Sequence, residues 1–231
     1  RLAFAFSPCA KHYQSRPDPS SGHFYTSSVL AAKFWISDTQ YMTEFRKDPV
    51  SGDWIVVAPD RAGRPYGLSL GAKKRKPTPK AACPFEDLEK SGNWPALIAY
   101  PNKEKWQAVL IPNKYPALRH SNICGEAVTL GPYEVMQGIG YHDLVVTRDH
   151  TKNFPKLSPK QALRVLLMFQ ERYREVKDDK CLVYVSAFSN WGASAGASLY
   201  HPHYQLLALP IVPPEVSHSL YGSHRYFKKH H

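Results

Sequence analysis

Three hydrogen-bonding side chains alternate at the end of one glycine-rich run: His201, His203 and Gln205. The run reads Asn190-Trp-Gly192-Ala-Ser-Ala-Gly196-Ala-Ser198-Leu-Tyr-His201-Pro-His203-Tyr-Gln205. Glycines and small residues let a backbone come close to a ligand and offer N–H groups to phosphate oxygens. A neutral imidazole is abundant near neutral pH and can act as a nucleophile. In an extended segment residues 201, 203 and 205 would share one face, because strand side chains alternate with period two. Burying three such groups costs free energy unless each is paired or bound to something. A lone histidine would read as a hydrogen-bonded core residue. The coincidence of a glycine-rich approach with this alternation points instead to groups that are bound to a ligand.

Strands must carry such a run. Trp54 to Val57 is a short apolar strand entered through the turn Pro49-Val-Ser-Gly52. Gln107 to Ile111, Leu144 to Thr147, Cys181 to Phe188 and Gln205 to Leu209 read as four more. The last is predicted to stop at Pro210, Pro213 and Pro214, since proline lacks the N–H that a ladder needs. One helix is well signalled. Ser158 can cap it, Pro159 suits its first position, and Gln161 stands at the capping-box position. Ala162, Val165, Leu166, Phe169, Tyr173 and Val176 follow at helical spacing. These elements predict an α+β fold, a largely antiparallel sheet with a long helix packed on one face. Residues 1–41 carry no sustained period and read as an extension, with the folded domain over 42–231.

The chain is long enough to build a core without disulfide staples. No apolar run approaches the ~20 residues of a membrane span, so no membrane partner is expected. The net charge of +11 favours an anionic partner. The two basic runs, Lys73 to Lys76 with Lys80, and Arg225, Lys228 and Lys229, read as solvated surface. They are not interleaved with aromatics in a stacking motif, which argues against nucleic acid. Cys9, Cys83, Cys124 and Cys181 are scattered without framework spacing. That pattern predicts free thiols in a reducing compartment and so a cytoplasmic protein. No secretory signal is legible at the start of the sequence.

The run from Asn190 to Gln205 resembles, residue for residue, the signature Asn-x-Gly-x-x-x-Gly-x-Ser-x-x-His-Pro-His-x-Gln of the galactose-1-phosphate uridylyltransferases, a branch of the histidine-triad superfamily. The stretch from Arg46 to Pro65, the segment Pro112-Asn113-Lys-Tyr-Pro and the segment Asp149-His150-Thr-Lys are similar to further family motifs. The resemblance implies a histidine-triad-like half-barrel. It also implies exchange of a nucleotidyl group between a nucleotide sugar and a hexose 1-phosphate, with UDP-glucose and uridylyl transfer expected first. An adenylyl-transferring phosphorylase of the same superfamily is the neighbouring alternative, and a non-catalytic nucleotide- or nucleic-acid-binding protein the more distant one. His203 takes the nucleophile's place and Gln205 that of the residue that holds the phosphoryl oxygens. Arg61, Arg64, Asn113, Asn190 and Ser198 take substrate-binding places.

The same resemblance implies a structural zinc site made by Cys83, Glu86, His150 and His201. Glu86 departs from the family, which has a second cysteine there; glutamate is nonetheless a zinc ligand. His142 matches a position outside the metal set and takes no place among the ligands. The likeness covers only the first of the family's two related halves. Residues for the acceptor sugar are therefore expected to be missing, or to come from a second copy in a homodimer.

Overall fold

The computed structural model describes residues 42–63, 78–192, 195–197 and 199–230. The predicted extension over 1–41, Arg64, the basic run Lys73 to Lys76 and Ser198 lie outside these described residues.

Among the described residues, nine strands form two antiparallel sheets. β1 (Glu44–Lys47), β2 (Trp54–Val57), β5 (Val128–Leu130) and β6 (Tyr133–Gln137) make the smaller, in the order β2-β1-β6-β5. β3 (Ile98–Tyr100), β4 (Ala108–Pro112), β7 (Tyr141–Thr147), β8 (Tyr184–Phe188) and β9 (His203–Leu209) make the larger, in the order β3-β4-β7-β9-β8. All five predicted strands are present, with boundaries moved by a few residues. The expectation of an α+β fold on antiparallel sheet holds. β1, β3, β5 and β6 have three to five residues each and no clear alternation. β1 has a single buried apolar side chain, Phe45, and is held by register between Val56 of β2 and Met136 of β6.

The larger sheet is covered on both faces, which explains the apolar runs in β4 and β7. Side chains at alternate positions divide between two cores. Ala108 and Leu110 of β4, Val145 of β7 and Tyr204 of β9 meet Val165 and Met168 of helix α1 (Pro159–Val176). Val109, Ile111, Leu144 and Val146 turn the other way and pack against Phe85, Leu88 and Cys83. His203 and Gln205 have the opposite parity to Tyr204, so the ladder places them on the face away from the helix. On the helix side, Arg172 holds Asp143 at 2.8 Å. Burial pushes the Asp143 carboxyl up, and the Arg172 guanidinium opposes that shift.

α1 starts where its sequence says. The Ser158 hydroxyl accepts from the Gln161 N–H, and the Gln161 side chain accepts from the Ser158 N–H at 3.0 Å. Ser158→Ala should lower stability by about 1 kcal/mol, read as a lower urea midpoint at unchanged m value. An unchanged midpoint would mean that packing against the sheet alone fixes the start of the helix.

Two expectations need correction. β9 ends at Leu209, before Pro210; Pro213 and Pro214 instead lead into α2 (Pro214–His230), since proline suits the first helical turn. The basic tail is the last turn of that helix, where cations meet the negative end of the helix dipole. Cys124 and Cys181, expected as free thiols, form a disulfide across a separation of 57 residues, with Cα atoms 4.9 Å apart. Separation along the chain carries no information about that distance, so the cysteine argument for a reducing, cytoplasmic setting no longer stands. Cys83 is free and buried. Among the described residues, no helix is long and apolar enough to cross a membrane.

Candidate active site

The loop from β8 to β9 turns at Gly192 and Gly196, both in the left-handed region with φ of +82° and +69°. That conformation disfavours other residues. At Gly192 a Cβ would meet nothing within 4 Å, so the glycine there serves the turn and not a steric approach. Asn190, Gly196 and Ala197 reach one wall of a cavity of about 210 Å³. His203 and Gln205 of β9, Asn113 after β4, and Arg61 form others. Five of the predicted site residues thus converge on one cavity. Arg64 and Ser198 lie outside the described residues. Lys114 and Tyr115, from the segment after Pro112 that is similar to a family motif, also line it, as do Phe85 and Asn93, to which the sequence reading gave no role.

His203 is 8% exposed. Its Nδ1 lies 3.0 Å from the carbonyl oxygen of His201, which can only accept. Nδ1 therefore carries the proton, and Nε2 keeps its lone pair. Burial lowers the pKa of His203, while the bond to His201 opposes that shift. Its ring is neutral near pH 7. Phe85 stands edge-on to both His201 and His203, with centroids 5.6 and 5.5 Å away, and fixes the two planes.

The three alternating residues do not share one face. β9 begins at His203, and His201 precedes the ladder, with Pro202 between them. His201 turns toward Cys83, Glu86 and His150 instead, and His203 and Gln205 keep the cavity. One ligand atom from each of these four residues lies within 4.8 Å of every other. His150 Nδ1 is 2.9 Å from Glu86 Oε1, His201 Nδ1 is 3.6 Å from that oxygen, and Cys83 Sγ is 3.5 Å from His201 Nδ1. Tetrahedral zinc, with bonds of about 2.0–2.3 Å, needs ligand atoms about 3.3–3.8 Å apart. The outer nitrogens suit such a donor set. His201 Nε2 donates to the Thr147 carbonyl and His150 Nε2 to the Thr78 carbonyl, both at 2.7 Å. With a cation between them, each Nδ1 would present its lone pair inward, as metal-bound histidines are usually held; without one, His150 Nδ1 faces the Glu86 carboxylate at 2.9 Å. Burial pushes the His201 imidazolium down to about 4, so the ligand form is the stable one. Burial pushes the Cys83 thiol up, with a contribution from the Glu86 carboxylate. A bound cation would reverse that preference and draw out the thiolate. The cluster could hold a metal ion.

The sequence model described as "Galactose-1-phosphate uridyl transferase, N-terminal domain" matches residues 32–213. The chain belongs to this family. An ADP-glucose phosphorylase of Arabidopsis thaliana is 34% identical over 190 residues, covering 80% of this chain and 54% of the relative. A galactose-1-phosphate uridylyltransferase of Thermotoga maritima is 25% identical over 189 residues, covering 81% of this chain and 53% of the relative. Among solved structures, a uridylyltransferase superposes with a TM-score of 0.57 at 28% identity, covering 81% of this chain and 52% of that one. The Arabidopsis ADP-glucose phosphorylase with bound ADP-glucose superposes with a TM-score of 0.52 at 30% identity, covering 81% and 55%. The chain therefore spans about half the length of the family members it matches, and its sheets and helix have their fold.

Proposed function

We propose that this member of the family exchanges a nucleotidyl group between a nucleotide sugar and a hexose 1-phosphate by way of His203. The supporting observation is the tautomer of His203: a buried neutral ring whose Nδ1–H is held by the His201 carbonyl, with Nε2 free to attack. Nε2 forms a bond to the α-phosphorus as the bond from that phosphorus to the bridging oxygen breaks. The pair of electrons leaves with the sugar 1-phosphate. The imidazolium so formed keeps its Nδ1–H on the His201 carbonyl, which stabilises the positive charge. An oxygen of the acceptor phosphate then attacks the same phosphorus and returns His203 to the neutral ring. Splitting one displacement into two lowers each barrier.

Gln205 takes the part of a donor to the phosphoryl oxygens; an amide cannot supply a proton, so transfer is favoured over acid-assisted hydrolysis. Arg61, Arg64, Asn113, Asn190 and Ser198 take the nucleotide and its phosphates. Zinc, held by Cys83, Glu86, His150 and His201, would serve structure, since it anchors the residue whose carbonyl orients the nucleophile. UDP-glucose:hexose-1-phosphate uridylyltransferase activity is the first reading. The 34% identity to an ADP-glucose phosphorylase favours a second, adenylyl transfer with phosphate as acceptor.

One experiment separates them. The intact mass of the chain is measured after incubation with UDP-glucose, UDP-galactose and ADP-glucose in turn. A uridylyl adduct supports the first reading and an adenylyl adduct the second. No adduct with any of the three counts against nucleotidyl transfer by this chain.

A further inference from the structure

We propose that His142 is a positioning residue: it decides which end of the Gln205 side-chain amide faces the phosphoryl group. The inference rests on the nucleotidyl-transfer reading above and goes beyond it in giving work to a residue outside both the nucleophile and the metal cluster.

The ladder brings the two together. Leu144 of β7 lies opposite Gln205, so His142, two residues back on the same face, is its diagonal neighbour. His142 is 5% exposed. Two donors reach its Nδ1: the backbone N–H of Ala117 at 2.9 Å and Arg61 Nη1 at 3.2 Å. A proton on Nδ1 would oppose both. The proton therefore sits on Nε2, which lies 2.9 Å from Gln205 Oε1 and 3.0 Å from Asn113 Nδ2. The Asn113 amide is itself oriented, because its Oδ1 accepts from the Tyr115 N–H at 3.0 Å. Its NH2 cannot accept, so Gln205 Oε1 is the acceptor for the ring proton. The other tautomer would gain the Asn113 contact and lose the other three.

The consequence is chemical. With Oε1 held by His142, the Gln205 amide has only its NH2 end to offer a ligand in the cavity it lines. An NH2 group donates to a phosphoryl oxygen; the carbonyl end would repel it. Rotating the amide by half a turn keeps the residue and reverses its effect on the anion. Groups that orient the ligands of a metal in this way contribute about 10- to 100-fold, and an effect of that order is expected here.

The test has two arms on the 231-residue chain. Long-range ¹H–¹⁵N correlation spectra read the ring directly. A neutral ring with its proton on Nε2 is expected. A proton on Nδ1, or on both nitrogens near neutral pH, overturns the proposal whether or not the chain transfers nucleotides. The second arm is a cycle in the rate of adduct formation. Gln205→Ala is expected to slow it by about 10²- to 10³-fold. His142→Phe keeps a flat ring and removes the donor, and is expected to slow it about tenfold in the otherwise unchanged chain. On the Gln205→Ala background it should change the rate by less than about twofold, because the group it orients is gone. His142→Gln restores a donor of similar reach and should recover most of the loss. Equal slowing by His142→Phe on both backgrounds would mean that the ring acts through packing, and would overturn the proposal. If the unaltered chain forms no adduct, the nucleotidyl-transfer reading fails on its own, and the same cycle is read on the dissociation constants of UMP and AMP.

Discussion

His203→Ala is expected to form no nucleotidyl adduct with any nucleotide sugar. The variant removes Nε2, a lone-pair donor that lines the cavity and is fixed in place by the Nδ1–H bond to the His201 carbonyl at 3.0 Å. Gln205, Asn113 and Asn190, which line the same cavity, are amides and do not attack phosphorus. Loss of the nucleophile in a covalent enzyme can lower turnover by on the order of 10⁶-fold. The fold should survive. His203 leads β9, whose ladder to β7 and β8 is made by backbone, and its ring touches Phe85 only at an edge. The measurements are intact mass after incubation with substrate and the far-ultraviolet circular dichroism of the variant. An adduct of undiminished yield in a folded His203→Ala protein would refute the assignment of the nucleophile.

The second large effect concerns the metal. Protein purified without chelator should carry close to one zinc per chain, held by Cys83, Glu86, His150 and His201, whose ligand atoms all lie within 4.8 Å of one another. A ligand that binds only the folded state stabilises it by about 2.7–4.1 kcal/mol at 100 to 1,000 times its dissociation constant. For a domain of this size that corresponds to a shift in Tm on the order of 5–15 °C. His150→Ala should lose the metal and most of that increment, and strong chelators should reproduce the loss in the unaltered chain. Glu86→Cys should keep the metal and bind zinc more tightly, since a thiolate is the softer ligand. Elemental analysis that finds no transition metal would leave a hydrogen-bonded cluster without an ion.

The candidate metal cluster and the proposed nucleophile are joined through one residue. His201 offers Nδ1 to the cluster and its carbonyl to His203, so whatever anchors its ring also steadies the His203 tautomer. That division of labour was not legible from the spacing of His201, His203 and Gln205. Alternation describes a strand, and His201 lies just outside one.

What the sequence determined by itself is local or compositional. The capping serine, the proline behind it and the helical spacing settled α1, because those signals act within one turn of the helix. Apolar runs marked β4, β7 and β9, because strands covered on both faces carry nearly continuous apolar stretches. The glycine and histidine run carried the family, since it combines turn and chemistry in 16 residues (Asn190 to Gln205). Tertiary structure alone decided the rest. β1 exists because Phe45 finds Met136 of β6 across the sheet, a partner distant in the chain. The Cys124–Cys181 pair depends on two loops meeting in space, which no spacing in the sequence reports. His142 gains its place only when β7 is laid against β9, Ala117 and Arg61 close on one nitrogen, and Gln205 meets the other. Hydrogen bonds are short-ranged and directional, so the state of a ring is set by whatever the fold brings within about 3 Å of it, and neighbours in sequence seldom supply all of those atoms.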